Sequence, residues 1–308
     1  MSSMVAALLA ELFESHRAHL FSVAYRLTGS VGAAEDAIQE SRLRLAGVHQ
    51  SEIEDLRLWL TGVVSRICLD HLRGAALRRQ TYVGQWLPEP VVTGRLLSSE
   101  PDALESAARD TACRMAALVA LDTLGTPQRV AYVLREGLSM SFEEIAAILD
   151  ISAWEAERFA RVARAAIAAT PAPVPDVEHE AAVRRLLSAL ATGELATVKG
   201  ALHSDATLIG DANGTTSTAV NIVGGAEQVA RFMLALVHRY GIGDSADSAT
   251  RYEFATVNGQ LGLVMNLDSE LFEQDWHPAR VVGFTVCDGL IWGTYDHANP
   301  AKLSGVRL

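Results

Sequence analysis

The sequence predicts a multidomain chain, two all-α domains followed by an α+β domain, on three observations. Apolar residues recur at helical spacing almost without interruption as far as residue 170. Pro171, Pro173 and Pro175 then cut the chain with a stiff, extended spacer that no helix can cross. Beyond them, Asn258-Gly259 and Asp288-Gly289 each sit between two strand-like runs, the signal of hairpins closed by type I′ turns.

Each element follows in order. Leu8, Leu12, Leu20 and Leu27, with Phe13, Val23 and Ala24 between them, form the stripe of a first helix. Gly29-Ser30 breaks it, and Ser30 is placed to cap a second helix that runs through Glu35 to about Ala46. A third spans about Leu56 to Leu72, with Trp59, Val63, Ile67 and Leu72 as its buried stripe. Gly84, Pro88, Pro90, Gly94 and Pro101 mark an irregular connector. A second helical block begins near Glu105. In it Thr126-Pro127 supplies an N-cap followed by proline, and Gly137 is placed to end that helix. Ser141…Glu144 and Ser152…Glu155 both fit the capping box, eleven residues apart, so a short helix, a tight turn at Asp150-Ile151 and a second helix are expected. After the prolines, helices near 177–191 and 225–240 precede strands at Tyr252–Val257, Leu261–Leu267, Val281–Cys287 and Leu290–Tyr295. Asn221–Gly225 reads as a turn before a helix.

The chain has 308 residues, a hydrophobic fraction of 49 % and a formal net charge of −11. That composition suits folded domains rather than disorder. Cys68, Cys113 and Cys287 are odd in number and far apart, which argues against a disulfide framework and for a reducing compartment. No apolar run is long enough to span a membrane and no secretory signal opens the sequence, so a cytoplasmic protein without a membrane partner is expected. The acidic balance weighs against strong binding to a free duplex. It is unevenly shared: residues 1–170 carry −4, with 17 Arg and no Lys, and residues 171–308 carry −7.

Placed on a wheel with Arg158 at zero, Arg161 and Arg164 fall at about 300° and 240°, while Phe159, Val162, Ala163, Ala166 and Ile167 fall between about 40° and 180°. One face packs and the other offers three guanidinium groups, as a helix in a major groove does and as a solvated bundle helix also does. Residues 57–79 combine Arg57, Trp59, Arg66, His71, Arg73, Arg78 and Arg79, a set able to hold unstacked bases and phosphates; a core Trp59 with surface arginines is the plainer alternative. Glu35, Asp36, Gln39 and Glu40 make an acidic helical face suited to docking a protein.

Ala24-Tyr25-Arg26-Leu27-Thr28-Gly29, Ala34–Glu40 and Arg57-Leu-Trp59 through Arg73 resemble region 2 of extracytoplasmic-function (ECF) sigma factors of RNA polymerase. Thr126-Pro127-Gln128-Arg129-Val130, Phe142–Ala146 and Leu149–Ser152 resemble their region 4. Tyr82–Pro90, containing Trp86-Leu87-Pro88-Glu89-Pro90, is similar to the linker motif of a SigJ-like subgroup with a C-terminal SnoaL-like domain. Asp288-Gly289 and Asn299-Pro300-Ala301-Lys302-Leu303 echo motifs of that domain, with Ala301 where the family usually has Asp.

The resemblance implies region 2 over 1–80, a linker over 81–104, region 4 over 105–170, a proline-rich linker over 171–176 and a SnoaL-like domain over 177–308, a curved antiparallel sheet with helices enclosing a pocket. It implies that Glu35, Asp36, Gln39 and Glu40 dock on the polymerase clamp. The −10 element falls to the 49–55 loop with Arg57, Trp59, Arg66 and Arg73. The −35 element falls to the helix carrying Trp154, Glu155, Arg158, Arg161 and Arg164, with region 4 also meeting the polymerase flap. Trp86–Pro90, Asp288, Gly289, Asn299, Pro300 and Lys302 are expected at a regulatory interface. Through it the last domain controls the protein in cis, in place of a separate anti-sigma partner.

For the last domain, His203, Asp205, Tyr252, Trp276, His277, Trp292 and Tyr295 are the candidate pocket groups. The segment shows no metal-ligand spacing, phosphate-cradling loop or nucleophile–base pair, so no cofactor, metal or catalytic residue is expected. A small-molecule ligand of this domain is a further expectation. The rival reading is an isomerase- or cyclase-type enzyme, or a ligand sensor, fused to a DNA-binding module. An acid–base pair in a closed pocket would mark the enzyme.

Overall fold

The computed structural model describes residues 2–48, 53–79, 81–93, 106, 110–243, 250–266, 278–304 and 306, with side chains from residue 10 onward and, in the helix ending at Arg79, as far as Gly74. The chain divides into two compact units, 1–80 with 99–113 and 117–170, and 81–98 with 114–116 and 171–308.

The first unit is helical. α1 (Ser2–Thr28), α2 (Val31–Gly47) and α3 (Leu56–Arg79) pack through Leu20, Phe21, Ala24 and Leu27, then Ala34, Ala37 and Ile38, then Leu60, Val64 and Ile67. Ser30 caps α2, its Oγ accepting from Ala33 N–H at 3.1 Å. Three readings of these helices change. α3 runs on to Arg79 rather than stopping near Leu72. Its buried stripe turns through Leu60 and Val64, so Trp59 is only half-buried. Leu12 is exposed.

A 3-10 turn (Thr111–Cys113) leads to α4 (Met115–Asp122), α5 (Thr126–Leu138), α6 (Phe142–Leu149) and α7 (Ala153–Ala168). The expected start near Glu105 lies outside the described residues. Gly125, not Thr126, is the N-cap of α5, and its N–H donates to Gln128 Oε1 at 2.8 Å. α5 ends at Ser139 in the left-handed region rather than at Gly137. Gly137 has another cause: a Cβ there would lie 2.8 Å from the buried Arg26 guanidinium. Both capping boxes form, Ser141 with Glu144 and Ser152 with Glu155, and Asp150 turns the chain with φ 56°. On α7 the buried residues are Ala156, Ala160 and Ala163; small side chains let the helix approach closely, and Val162, expected to pack, is exposed.

In the second unit α8 (Asp176–Thr192) begins at the last residue of the expected spacer, followed by α9 (Leu195–Gly200) and α10 (Ala226–Tyr240). The sheet runs β1 (Val92–Thr93), β5 (Thr250–Val257), β6 (Gln260–Met265), β7 (Arg280–Cys287), β8 (Leu290–His297), β2 (Leu202–Asp211), β3 (Val223–Gly224), with β4 (Ile242–Gly243) beside β5. The hairpin turns have positive φ at Asn258, Gly259, Asp288 and Gly289, as type I′ requires. To the antiparallel strands the structure adds β2, parallel to β8, and β3 within the segment read as a turn. One face packs Leu208, Leu263, Met265 and Phe284 against α8 and α10. The other gathers Val92, Ala255, Val257, Val264 and Val281 with Leu303 from the terminal α11 (Pro300–Leu303).

Candidate functional site

Three surfaces in the helical unit gather the expected residues. On α7, Ser152 caps the first turn, its Oγ accepting from the Glu155 N–H at 3.2 Å. Trp154 is 65 % exposed, and Arg158 lies over it, 5.4 Å from its ring centroid, while also covering Phe159 at 5.0 Å. Arg161 pairs loosely with Glu157 at 3.8 Å, and Arg164 with Glu136 of α5. Glu155 is occupied: backbone and hydroxyl hydrogen bonds with Ser152 hold its carboxyl below its usual range. Trp154, Arg158 and Arg161 thus share a solvent-facing surface, with Arg164 at its bundle edge and Glu155 in the cap.

On α3, Trp59, Arg66 and Arg73 recur at seven-residue spacing, within about 40° of one another. Arg66 and Arg73 are exposed, Arg73 paired with Asp70 at 3.0 Å. Arg57 lies on the opposite side. Its guanidinium meets His19 Nδ1 at 3.3 Å, and burial followed by the Arg57 charge pushes His19 down to about 4. Arg57 also borders a cavity of about 420 Å³ shared with Leu138, Ser139, Met140 and Glu144. On α2, Asp36 and Gln39 are exposed; Glu35 pairs with Arg17 at 2.7 Å and Glu40 with Arg44. Between α1 and α5 stands Arg129, 4 % exposed, donating to Leu121 O and Leu27 O at 2.9 Å each and to Asp122 Oδ1 at 2.6 Å.

The second unit builds its site around a carboxylate that the sequence reading missed. Asp211, fully buried at the end of β2, accepts from the Leu87 N–H at 2.7 Å, from Lys302 Nζ at 2.6 Å and from the Tyr82 hydroxyl. Lys302 also donates to Leu87 O and stands 3.9 Å from the Trp86 ring centroid. Asn299 caps α11 through Ala301 N–H while its Nδ2 donates to the Tyr82 hydroxyl at 2.7 Å. Leu87, Pro88 and Pro90 are buried and Trp86 and Glu89 half-buried. At the far end Val91 and Asn258 exchange hydrogen bonds of 3.1 and 2.8 Å, and β1 extends the sheet beside β5. Segment 82–93 is therefore fastened to the sheet domain at several points. Asp288-Gly289 instead forms the β7–β8 turn, where Arg185 donates to Gly289 O at 2.9 Å.

The candidate pocket groups do not converge. Tyr252 lines a cavity of about 610 Å³ between the sheet, α8 and α10. Tyr295 lies within the fold with its hydroxyl 3.2 Å from Thr285, burial pushing it up to about 12. His203 accepts from the Asp205 N–H at 3.2 Å, away from that cavity's lining. Trp292 is half-buried. Trp276, His277, His49 and the side chains of Arg78 and Arg79 lie outside the described residues. The cavity's lining also includes Arg280, Thr294 and Asp296, buried polar groups that sequence spacing alone did not connect, besides Arg184 and Ser188.

A family model described as Sigma-70 region 2 matches residues 12–78. The chain is 46 % identical over 302 residues to the ECF RNA polymerase sigma factor SigJ of Mycobacterium tuberculosis, covering 96 % of this chain and 93 % of that one. It is 32 % identical over 191 residues to the probable ECF RNA polymerase sigma factor SigI of the same species, covering 60 % and 64 %. The chain belongs to the ECF sigma factors of RNA polymerase, a family of transcription initiation factors. Within that family its similarity to SigJ extends through the sheet domain: the crystal structure of M. tuberculosis SigJ matches it with a TM-score of 0.78 at 41 % identity, over 97 % of this chain and 99 % of the other. Among the described residues no helix is long and apolar enough to cross a membrane.

Proposed function

We propose that this sigma factor joins core RNA polymerase in the cytoplasm and directs it to promoters with a −10 and a −35 element. In this reading region 2 spans 1–80, the linker 81–104, region 4 105–170, the proline-rich spacer 171–176 and a SnoaL-like regulatory domain 177–308. The −35 element is read by Arg158 and Arg161 with Trp154, while Arg164 and Glu155 brace and cap the helix. Trp59, Arg66 and Arg73 meet the −10 element from one side of α3, and Arg57 contributes from the other side once its cavity opens. Glu35, Asp36, Gln39 and Glu40 dock on the clamp, and region 4 meets the flap. The observation that carries this reading is the outward face of α7, a capped second helix of a helix-turn-helix that presents an aromatic and two arginines rather than a packing stripe.

Regulation in cis rests on the Asp211 cluster. Because segment 82–93 is tied to Asp211, Asn258, Asn299 and Lys302, the C-terminal domain governs where the connector between regions 2 and 4 can travel. The test is transcription with core polymerase and the protein's own upstream region, comparing the intact chain with Asp211→Ala. Promoter-dependent transcript from the intact chain and an altered yield from the variant are expected. No transcript from any template refutes the sigma assignment of these faces; unchanged yield refutes the regulatory one.

A further inference from the structure

The cavity of about 610 Å³ has the size of a site for a drug-sized molecule. Its walls include Leu186, Leu190, Met233, Val237, Phe254 and Leu263, apolar side chains from two helices and two strands. Strand alternation also points Arg280, Thr294 and Asp296 to it, because Asp296 is the β8 partner of Val282 and Thr294 that of Phe284. All three are at least 97 % buried.

Arg280 and Asp296 form an ion pair. Arg280 Nη2 also donates to Ser217 O at 2.6 Å, and Asp296 Oδ2 accepts from the Thr218 hydroxyl at 2.5 Å. Even so, Arg280 Nε, Thr294 Oγ1 and Asp296 Oδ1 have no hydrogen-bond partner among the described residues. One is a donor, one an acceptor, and the hydroxyl serves as either. Buried groups of this kind are nearly always satisfied by protein, water or ligand. The two charges balance each other, and Arg184, which also lines the cavity, is exposed and paired with Glu180. An ionised ligand would therefore enter without a counter-charge of its own.

We propose that this cavity binds a neutral small molecule with a hydrocarbon or aromatic body and one head group that both accepts and donates, an amide or a hydroxy-carbonyl. Its carbonyl oxygen accepts from Arg280 Nε, its N–H or O–H donates to Asp296 Oδ1, and Thr294 supplies the third contact. The site goes beyond the promoter reading and stands or falls without it, since binding is measured on the free full-length chain.

The probes are 2-naphthamide and decanamide, one flat and one extended, titrated calorimetrically against 2-acetylnaphthalene and 2-naphthoate. Saturable one-to-one binding of at least one amide is expected, about tenfold tighter than the ketone, which lacks the donor, or the carboxylate, which brings a charge. Leu190→Trp, which fills the cavity, should abolish it. Thr294→Val, which keeps the volume, should weaken amide binding severalfold while sparing the ketone. The proposal is overturned if neither amide saturates, if amide, ketone and carboxylate bind alike, or if binding survives Leu190→Trp in a protein with unchanged circular dichroism. Should Leu190→Trp fail to fold, undiminished amide binding to Thr294→Val overturns the head-group assignment.

Discussion

Lys302 Nζ lies 2.6 Å from Asp211 Oδ2, both side chains buried, so a residue of α11 neutralises a carboxylate that also holds the backbone of Leu87. Removing one member leaves the other charge buried without a counter-ion, which costs about 3–5 kcal/mol. Asp211→Ala should therefore destabilise the sheet domain by that order and expose segment 82–93 to protease. Lys302→Met should do nearly as much. Urea unfolding with limited proteolysis measures both; losses below about 1 kcal/mol would rank the pair with exposed ion pairs.

His297 is buried on β8, and burial, aided by the Lys302 charge, pushes it down to about 3 from 6.5. Neither ring nitrogen has a partner among the described residues. Between pH 6.5 and 3 the unfolded chain binds a proton there that the folded chain does not. Stability consequently falls as pH drops through that window, by about 1.4 kcal/mol per unit for this group, and is insensitive to it above pH 6.5. His297→Leu should flatten the fall and cost little at pH 7, because it removes a buried polar group with nothing to lose. Chemical unfolding at pH 7.0 and 5.5 tests this, and an equal pH dependence in both proteins would contradict it.

What the sequence made legible follows from which forces act locally. Ser30, Ser141 and Ser152 could be named as caps because the capped donors lie three residues away, and the Asn-Gly and Asp-Gly turns because they need φ > 0. β2 escaped because His203-Ser204-Asp205 near its start are polar and its partner β8 lies some ninety residues downstream. Asp211 read as one more acidic residue; only tertiary pairing shows that Leu87 and Lys302 converge on it. Arg280 and Asp296 were hidden likewise, since register alone brings them together. Trp59 and Val162 were misread because a wheel locates a stripe but not which edge of it a neighbour covers.

Trp154 and Arg158 separate folding from recognition. Trp154 is exposed, so Trp154→Ala should change stability by no more than about 0.5 kcal/mol. In the holoenzyme it should nonetheless weaken promoters that carry their −35 element and leave promoters with that element scrambled unchanged. Arg161→Ala should lower the salt dependence of promoter binding by about one counterion if the guanidinium grips phosphate. Arg158→Ala should cost about 1–3 kcal/mol at a single position if it reads a base. Footprinting across a salt series distinguishes the two, and equal loss on scrambled and intact elements would remove α7 from −35 recognition.

Arg129 ties α5 to the Leu27 carbonyl at the end of α1 within one compact unit. Elements centred near −10 and −35 lie about 25 base pairs apart, ~85 Å along the duplex at 3.4 Å per base pair. A compact unit of this size has a radius of gyration of only about 15 Å. α3 and α7 therefore cannot meet both elements while Arg129 holds α5 against α1 and Arg57 faces the cavity beside Ser139. If α3 reads the −10 element and α7 the −35 element, promoter engagement releases this arrangement. Spin labels at the exposed Asp70→Cys and Ala165→Cys positions report it, in a Cys287→Ser background; burial pushes the Cys68 and Cys113 thiols up to about 12 and keeps them unreactive. The label distance should stay within roughly 40 Å in the free chain and lengthen by tens of ångströms in the promoter-bound holoenzyme. Arg129→Lys, which cannot serve three acceptors in the guanidinium's planar fork, should broaden the free-chain distribution toward the long distance. A distance that is the same free and promoter-bound would show that the two helices do not read separate elements at once.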